Sequence, residues 1–530
     1  MKPELWPGIL VGILLFGLCL LLLGILGYHS QPIDWGAWYR DPYWQEVLRF
    51  TWLQACLSTL FSLVIAVPLA CVLVRRRFWG RQWLLQLFSL SMVLPTVVAV
   101  FGLITLYGRQ GWLAQLCTQL GFSYGGSLYG LPGIVLVHVF FNLPLATRLF
   151  FYRLRSQPLS KIRLAAQLGM SAYHCFRWLK WPRLRSLLPA MASVLFALCL
   201  NNLASGLLLS GGPRSTPLAL AIYQAVQEKD QLGQLFPILL LQFMSGAVLY
   251  FLCQYFTGNP AISRLTSLDA LTDSNGLWQD GPYQRAWDWL WILLGSGIVL
   301  FPLLAVVIEG CNGLLLLALK RIALWQALGY SLLLGVSSSL LAVILAGSLL
   351  LSISQLPSDY HRYSRWLLLS GILIAWWPPL VIAMALLYLL PGLHRAELIV
   401  GLIIFTNGII AIPYAIKILA GPLETVIRRT QALCQGLGIQ GMNRWRLIYI
   451  PLLYRPFIFA VIITLLLSTG EIGIFALFGQ GRRCTLSRYL YQQLSSYRSE
   501  EAAVSALLLL LVCWGLLMLS EKLARHDHTT

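Results

Sequence analysis

Long apolar runs separated by short polar punctuation dominate this chain. Twelve stretches, roughly 8–28, 50–74, 84–107, 131–151, 186–209, 236–256, 289–309, 326–351, 366–390, 398–419, 456–478 and 502–520, are long enough to cross a ~30 Å hydrocarbon layer as helices. A closed barrel would need short alternating strands, which these runs are not. The pattern predicts an all-α polytopic membrane protein with about 12 transmembrane helices. The first run has only Lys2 as an N-terminal charge and no small-residue cleavage site before Tyr28-His29, so it reads as an uncleaved anchor.

The polar punctuation repeats. A shift of 269 positions carries Leu143-Pro144 onto Ile412-Pro413, Asn202 onto Glu471 and Thr216 onto Thr485, and Tyr223-Gln224 meets Tyr491-Gln492 one position out of step. Near the start of each half the shift is 280, and Thr51, Ser58 and Thr59 fall on Ser331, Ser338 and Ser339. Six spans recur in the same orientation, which predicts two tandem, parallel six-helix halves. The expected division is an anchor helix and outer loop over 1–49 and a first transmembrane domain over 50–256. A linker with the seventh helix follows over 257–325, then a second transmembrane domain over 326–520 and a tail over 521–530. Residues Thr257 to Asp288 are rich in Pro, Gly, Asn and Asp, as an exposed linker should be.

Composition narrows the class. The 530 residues are 58% hydrophobic and 11% charged, with mean hydropathy +0.74. The formal charge of +19 suits cytoplasmic loops facing anionic lipid, and no basic module with interleaved aromatics points to a nucleic acid. The larger share of the Lys and Arg falls on one side if both termini are cytoplasmic, although Arg482, Arg483, Arg488 and Arg498 go against the bias. The eleven cysteines are scattered, with no C-x-x-C and no Cys/His spacing suited to zinc. No metal is expected.

Two basic loops are the clearest copies. Arg163-Leu-Ala165-Ala166-Gln-Leu-Gly169-Met170-Ser171 leads to Pro182, and Ala432-Leu-Cys434-Gln-Gly-Leu-Gly438 leads through Asn443 to Pro451. The glycine-to-proline spacing is the same in both. Local chemistry predicts a bent helical pair in each, with Ser160 and Thr430 as caps of the first helix, Ser171 and Asn443 as caps of the second, and the glycines and prolines as stops. A short helix that presents apolar and small residues between flanking arginines fits the acidic groove of a partner.

This pattern resembles the cytoplasmic loop of binding-protein-dependent ABC importer permeases: E-A-A, three residues, Gly, nine residues, then I-x-L-P. Leu179-Lys-Trp-Pro182 and Ile448-Tyr-Ile-Pro451 fill the closing tetrad, whereas Arg163 and Ala432 stand where that family has Glu. Longer segments, Phe101–Trp112, Ala165–Met170, Phe405-Thr-Asn407 with Ala411–Ala415, Leu433–Gly438 and Leu490–Gln493, are similar to the fused two-domain permeases of bacterial thiamine importers. Fused ferric-iron permeases share the architecture and the loop spacing. The resemblance implies a type I permease of the inner membrane, whose loops seat in a homodimeric ATP-binding subunit and whose outer face receives a periplasmic thiamine-binding protein. ATP and Mg would be used by that partner, with no cofactor on this chain. The family's salt link from the missing Glu is not expected.

No G-x-x-x-x-G-K-[ST] occurs, and no catalytic constellation stands out; His138 reads as a satisfied core histidine. Polar groups deep in apolar helices are candidates for a transport path. Glu471 is the sharpest, with Asn202 as its repeat mate and Asn201 beside it; a carboxylate facing an amide across a twofold pore would favour an organic cation. Asn142 and Asn407 precede the shared prolines, and Trp377 sits in a Trp-Trp-Pro-Pro break. An ion-driven carrier with Glu471 as proton relay is the reading from a different class.

Overall fold

The structure is a computed structural model. It describes residues 6–29, 40–227, 237–242, 244, 248, 282–355, 361–374, 377–389, 396–439, 442–478 and 484–525. Among these the regular structure is helical throughout. Eight helices are long and apolar enough to cross a membrane, or nine when a pair bent by 52° counts as one span. The chain is therefore an all-α integral membrane protein. The linker over 257–281 and most of the expected sixth span lie outside the described residues.

The first half comprises α1 (Trp6–His29), α2 (Pro42–Arg75), α3 (Arg81–Val93), α4 (Thr96–Tyr107), α5 (Trp112–Gln119), α6 (Leu131–Arg155), α7 (Leu159–Gln167), α8 (Leu188–Leu200), α9 (Leu203–Leu209) and α10 (Leu218–Gln227). The second comprises α11 (Pro282–Gly310), α12 (Ile322–Gln355), α13 (His361–Leu373), α14 (Pro379–Leu389), α15 (Ala396–Gly436), α16 (Ile450–Gly470), α17 (Gly473–Phe478), α18 (Leu486–Ser495) and α19 (Ser499–Arg525).

Four of the expected spans are broken, at points where the local sequence disfavours a continuous helix. The third span stops at Leu94-Pro95 and the ninth at Trp377-Pro378, because the residue before a proline is pushed out of helical geometry. The fifth breaks at Asn201-Asn202, where an asparagine side chain competes for the backbone. The eleventh breaks at the matching point, Glu471-Ile472. The breaks fall at matching places in the two halves. A short helix, α10 or α18, then follows each; neither stands out in the hydrophobic pattern.

Those two short helices carry the repeat down to single hydrogen bonds. The Leu218 N–H donates to Thr51 Oγ1 at 2.9 Å, and the Leu486 N–H donates to Ser331 Oγ at 2.7 Å. Thr51 and Ser331 are repeat mates on α2 and α12. Each satisfies an orphan donor at the start of a short buried helix.

The halves are interlocked. Helix α11, which opens the second half in sequence, lies on α2 and α4 of the first, and α1 lies on α12, α13 and α14 of the second. One apolar core joins α2, α3, α4, α6 and α8 to α11, α16 and α19, and the other joins α1 and α10 to α12, α14, α15 and α16. Both ends of α11 are fastened by polar contacts. At one end the buried Asp288 pairs with Arg75 and Arg76. At the other, Trp112 Nε1 donates to Glu309 at 3.0 Å. On α1 the Gly8 N–H donates to Ser352 Oγ at 3.1 Å.

Gly102 sets the approach of α4 to α11. A Cβ there would lie 2.3 Å from the Pro302 carbonyl oxygen, a backbone atom that cannot step aside. Small residues permit this close packing where lipid offers no hydrophobic drive. Gly102→Ala is expected to lower stability by about 1–3 kcal/mol through overpacking. Gly17→Ala, which meets nothing within 4 Å, should instead raise it slightly through helix propensity. The thermal midpoints of the purified variants should move in opposite directions.

Candidate functional site

Two structural features form the candidate site: the paired loops, and the breaks in the membrane helices.

In the first loop α7 ends at Gly169, whose φ of +60° is a left-handed conformation that suits glycine. The reversal is locked by Met170 N–H donating to Ala165 O at 3.1 Å and Gly169 N–H to Ala166 O at 3.1 Å. In the second loop Gly438 takes φ +64°, and Ile439 N–H donates to Cys434 O at 3.0 Å. The Ile439 bond is the repeat mate of the Met170 bond. Both chains next form a helical turn and a five-residue π-helical segment, Phe176–Lys180 and Trp445–Tyr449, ahead of Trp181-Pro182 and Ile450-Pro451. Proline has no N–H to give and its ring presses on the carbonyl four residues back. Widening the preceding turn relieves that clash, and the Trp181 N–H reaches Phe176 O instead.

The first-helix caps differ from expectation. Pro158, not Ser160, precedes α7, and Thr430 lies inside α15, where its hydroxyl donates to Val426 O at 2.8 Å. Helix α15 simply continues from the membrane to Gly436; nothing before Gly438 stops it. Ser171 caps through its carbonyl, which accepts the Cys175 N–H at 3.0 Å, while its hydroxyl pairs with His174 Nδ1 at 2.8 Å.

Burial along the loops follows the repeat. Ala165 and Cys434 are both buried against the body. Their neighbours point outward in matched pairs: Leu168 is 68% and Leu437 65% exposed, Trp178 64% and Leu447 63%, with Leu164 and Leu433 close behind. Arg163, Gly169, Pro182, Gly438, Asn443 and Pro451 are also exposed, and Ala166 and Met170 half-buried. The backbone of Ala432 is helical within α15. The loop periodicity alone hides this pairing; superposing the two copies would have revealed it.

At the membrane breaks the polar side chains cap helix ends. Asn202 Oδ1 accepts the Ser205 N–H at 3.2 Å at the start of α9, and Glu471 Oε1 accepts the Gly473 N–H at 3.1 Å at the start of α17. Asn201 Oδ1 accepts from Gln242 Nε2 at 2.6 Å. The two breaks adjoin. A Cβ on Gly473 would lie 2.9 Å from Leu203 Cδ2, and one on Gly470 would lie 3.4 Å from Pro95 Cα. Glu471 also interacts electrostatically with the Tyr414 phenol. Asn202 and Glu471 are thus brought to one region between the halves.

The other three candidates are buried. Asn142 is buried and donates to Cys199 Sγ at 3.1 Å. Asn407 is buried on α15. Trp377 packs in the second core, which also holds Cys19 of α1. His138 sits between two hydroxyls, Ser58 Oγ at 3.2 Å and Ser205 Oγ at 3.4 Å. Among the described residues no group of three His, Cys, Asp or Glu could hold a metal ion.

An internally duplicated bundle with polar breaks at its centre and matched loops at one end is the architecture of a membrane permease. Comparison with known proteins agrees. The chain is 40% identical to the thiamine transport system permease protein of Escherichia coli (strain K12) over 528 residues, covering 99% of this chain and 97% of that protein. It is 36% identical to the one of Haemophilus influenzae (94% and 92% covered) and 36% identical to the one of Brucella abortus strain 2308 (91% and 88%). No family model matches the chain. The chain belongs to the family of thiamine transport system permease proteins.

Proposed function

We propose that this chain is the translocating subunit of an ATP-driven importer that brings thiamine across the bacterial inner membrane. It works with a homodimeric ATP-binding subunit on its cytoplasmic side and a thiamine-binding protein on its periplasmic side, and both its termini are cytoplasmic. The matched exposure of the two loops carries this reading: a twofold pair of apolar knobs suits a partner that is itself twofold. The near-full-length likeness to permeases named for thiamine transport supports the cargo.

In this reading ATP-driven closure of the partner moves the two loops together. Gly169 and Gly438 fix the direction of each loop, and α6, α8, α15 and α16 carry the displacement to the breaks. There Leu203 against Gly473 and Pro95 against Gly470 close the path between the halves, and separation of the breaks opens it. Glu471 then offers a carboxylate to a passing organic cation.

ATP-dependent uptake of labelled thiamine into proteoliposomes holding all three components tests the proposal. Uptake that ignored ATP but collapsed with the proton gradient would sink it. Glu471→Gln separates charge from structure, because the amide oxygen can still cap Gly473. We expect uptake to fall about tenfold, equivalent to about 1.4 kcal/mol, with recovery of the ATP-binding subunit unchanged.

A further inference from the structure

The two halves differ in one buried place where the repeat would make them alike. In the first half, α2, α6, α8 and α9 are clasped by direct bonds. His138 lies between Ser58 and Ser205, the Cys199 thiol meets Asn142 and Ser58, and Gln54 Nε2 donates to Cys199 O at 3.3 Å. The mates of Ser58, His138 and Cys199 in the second half are Ser338, Asn407 and Ser468. The mates of Gln54, Asn142 and Ser205 are Leu334, Ala411 and Ile474. Three polar partners have become apolar, and the imidazole has become a shorter amide.

The result is three stranded groups. Ser338, Asn407 and Ser468 are 0%, 4% and 7% exposed, and Ser338 Oγ, Asn407 Nδ2 and Ser468 Oγ have no hydrogen-bond partner among the described residues. They lie on α12, α15 and α16, which pack on one another. A Cβ on Gly408 would be 3.2 Å from the Ser338 carbonyl oxygen, and one on Gly335 would be 3.5 Å from Leu465 O, so adjacent turns of these helices are in contact. Leaving three buried polar atoms unpaired in a membrane protein is costly.

We propose that the second half holds one fixed water molecule between Ser338, Asn407 and Ser468. The chemistry selects water. Asn407 Nδ2 donates to its oxygen, and its two hydrogens go to the two serine oxygens, giving the usual three bonds of a buried water. The unpaired amide N–H offers a metal cation no lone pair, and none of the three groups carries the positive charge an anion would need. The first half is clasped side chain to side chain, and the second through solvent.

The test is a density map of the full-length permease in lipid nanodiscs at a resolution that shows ordered water. A peak within hydrogen-bond reach of all three atoms is expected. A wild-type map with no peak, or with the three side chains bonded to each other, overturns the proposal. The triple exchange Asn407→His, Ala411→Asn, Ser468→Cys imports the first half's imidazole, amide and thiol and should remove the peak. Asn407→Leu, which fills the same space with apolar atoms, should remove it too. A peak unmoved by either exchange would show that other groups hold it, and overturns the proposal as well.

Discussion

Gly169→Pro combined with Gly438→Pro is expected to cut recovery of the ATP-binding subunit at least tenfold, while the permease still reaches the membrane as a helical protein. Both glycines hold φ near +60°, and a proline ring fixes φ near −65°, the opposite sign. The substitution also removes the Gly169 N–H that donates to Ala166 O. Without the reversal, the turn that carries Trp178 or Leu447 leaves α7 or α15 in another direction, and the exposed Leu168 and Leu437 no longer form one surface with it. The membrane helices do not depend on this turn, because nothing lies within 4 Å of a Cβ at either glycine. Copurification with the partner, read beside circular dichroism of the permease, decides the matter. Full recovery of the partner by a folded double variant would refute docking through these loops.

Asp288→Ala is expected to be among the most damaging single changes in the chain, lowering stability by about 3 kcal/mol or more. The carboxylate is fully buried, and the Arg75 and Arg76 side chains that it holds are only 15% and 19% exposed. Lys180, at the end of the first loop's π-helical segment, interacts with the same carboxylate. Removing Asp288 takes a buried acid from beside Arg75, Arg76 and Lys180, and a broken buried pair costs about 3–5 kcal/mol. It also frees the start of α11 from α2. Glu424→Gln is the control, since its pair with Arg428 is exposed on both sides and such pairs contribute at most about 0.5 kcal/mol. Thermal midpoints in detergent give the comparison. Equal small shifts for the two variants would contradict the clamp.

Much of the frame could be read from the chain because membrane folding writes it plainly: an apolar run of twenty residues has few other uses. The duplication was legible as well, since Pro144 and Pro413, or Gly169 and Gly438, mark positions where the backbone leaves few choices. What escaped were relations between distant segments. Nothing in the run around Trp287–Trp291 says that α11 will settle on the opposite half, because its apolar face would suit either. The short helices α10 and α18 were hidden because a broken segment inside a protein-lined interior need not be long or uniformly apolar. At the candidate site, Glu471 and Asn202 stood out as polar residues in apolar surroundings, and they do lie together. Asn142, Asn407 and Trp377 stood out by the same rule, yet Asn142 bonds Cys199 and Trp377 packs in the second core. Depth in the membrane identifies a costly group and leaves open what offsets the cost.

The exchange of first helices has a meaning for how such a chain arose and how it could be taken apart. If its ancestor was a single six-helix subunit that assembled as a pair, each copy already lent its opening helix to its neighbour. Joining the two genes then left the contacts as they were, and only their tether was new. The joined copies were freed to drift apart but not to part company. Severed between residues 257 and 281, the chain should yield two pieces that insert and pair when produced together, while either piece made alone would lack a wall.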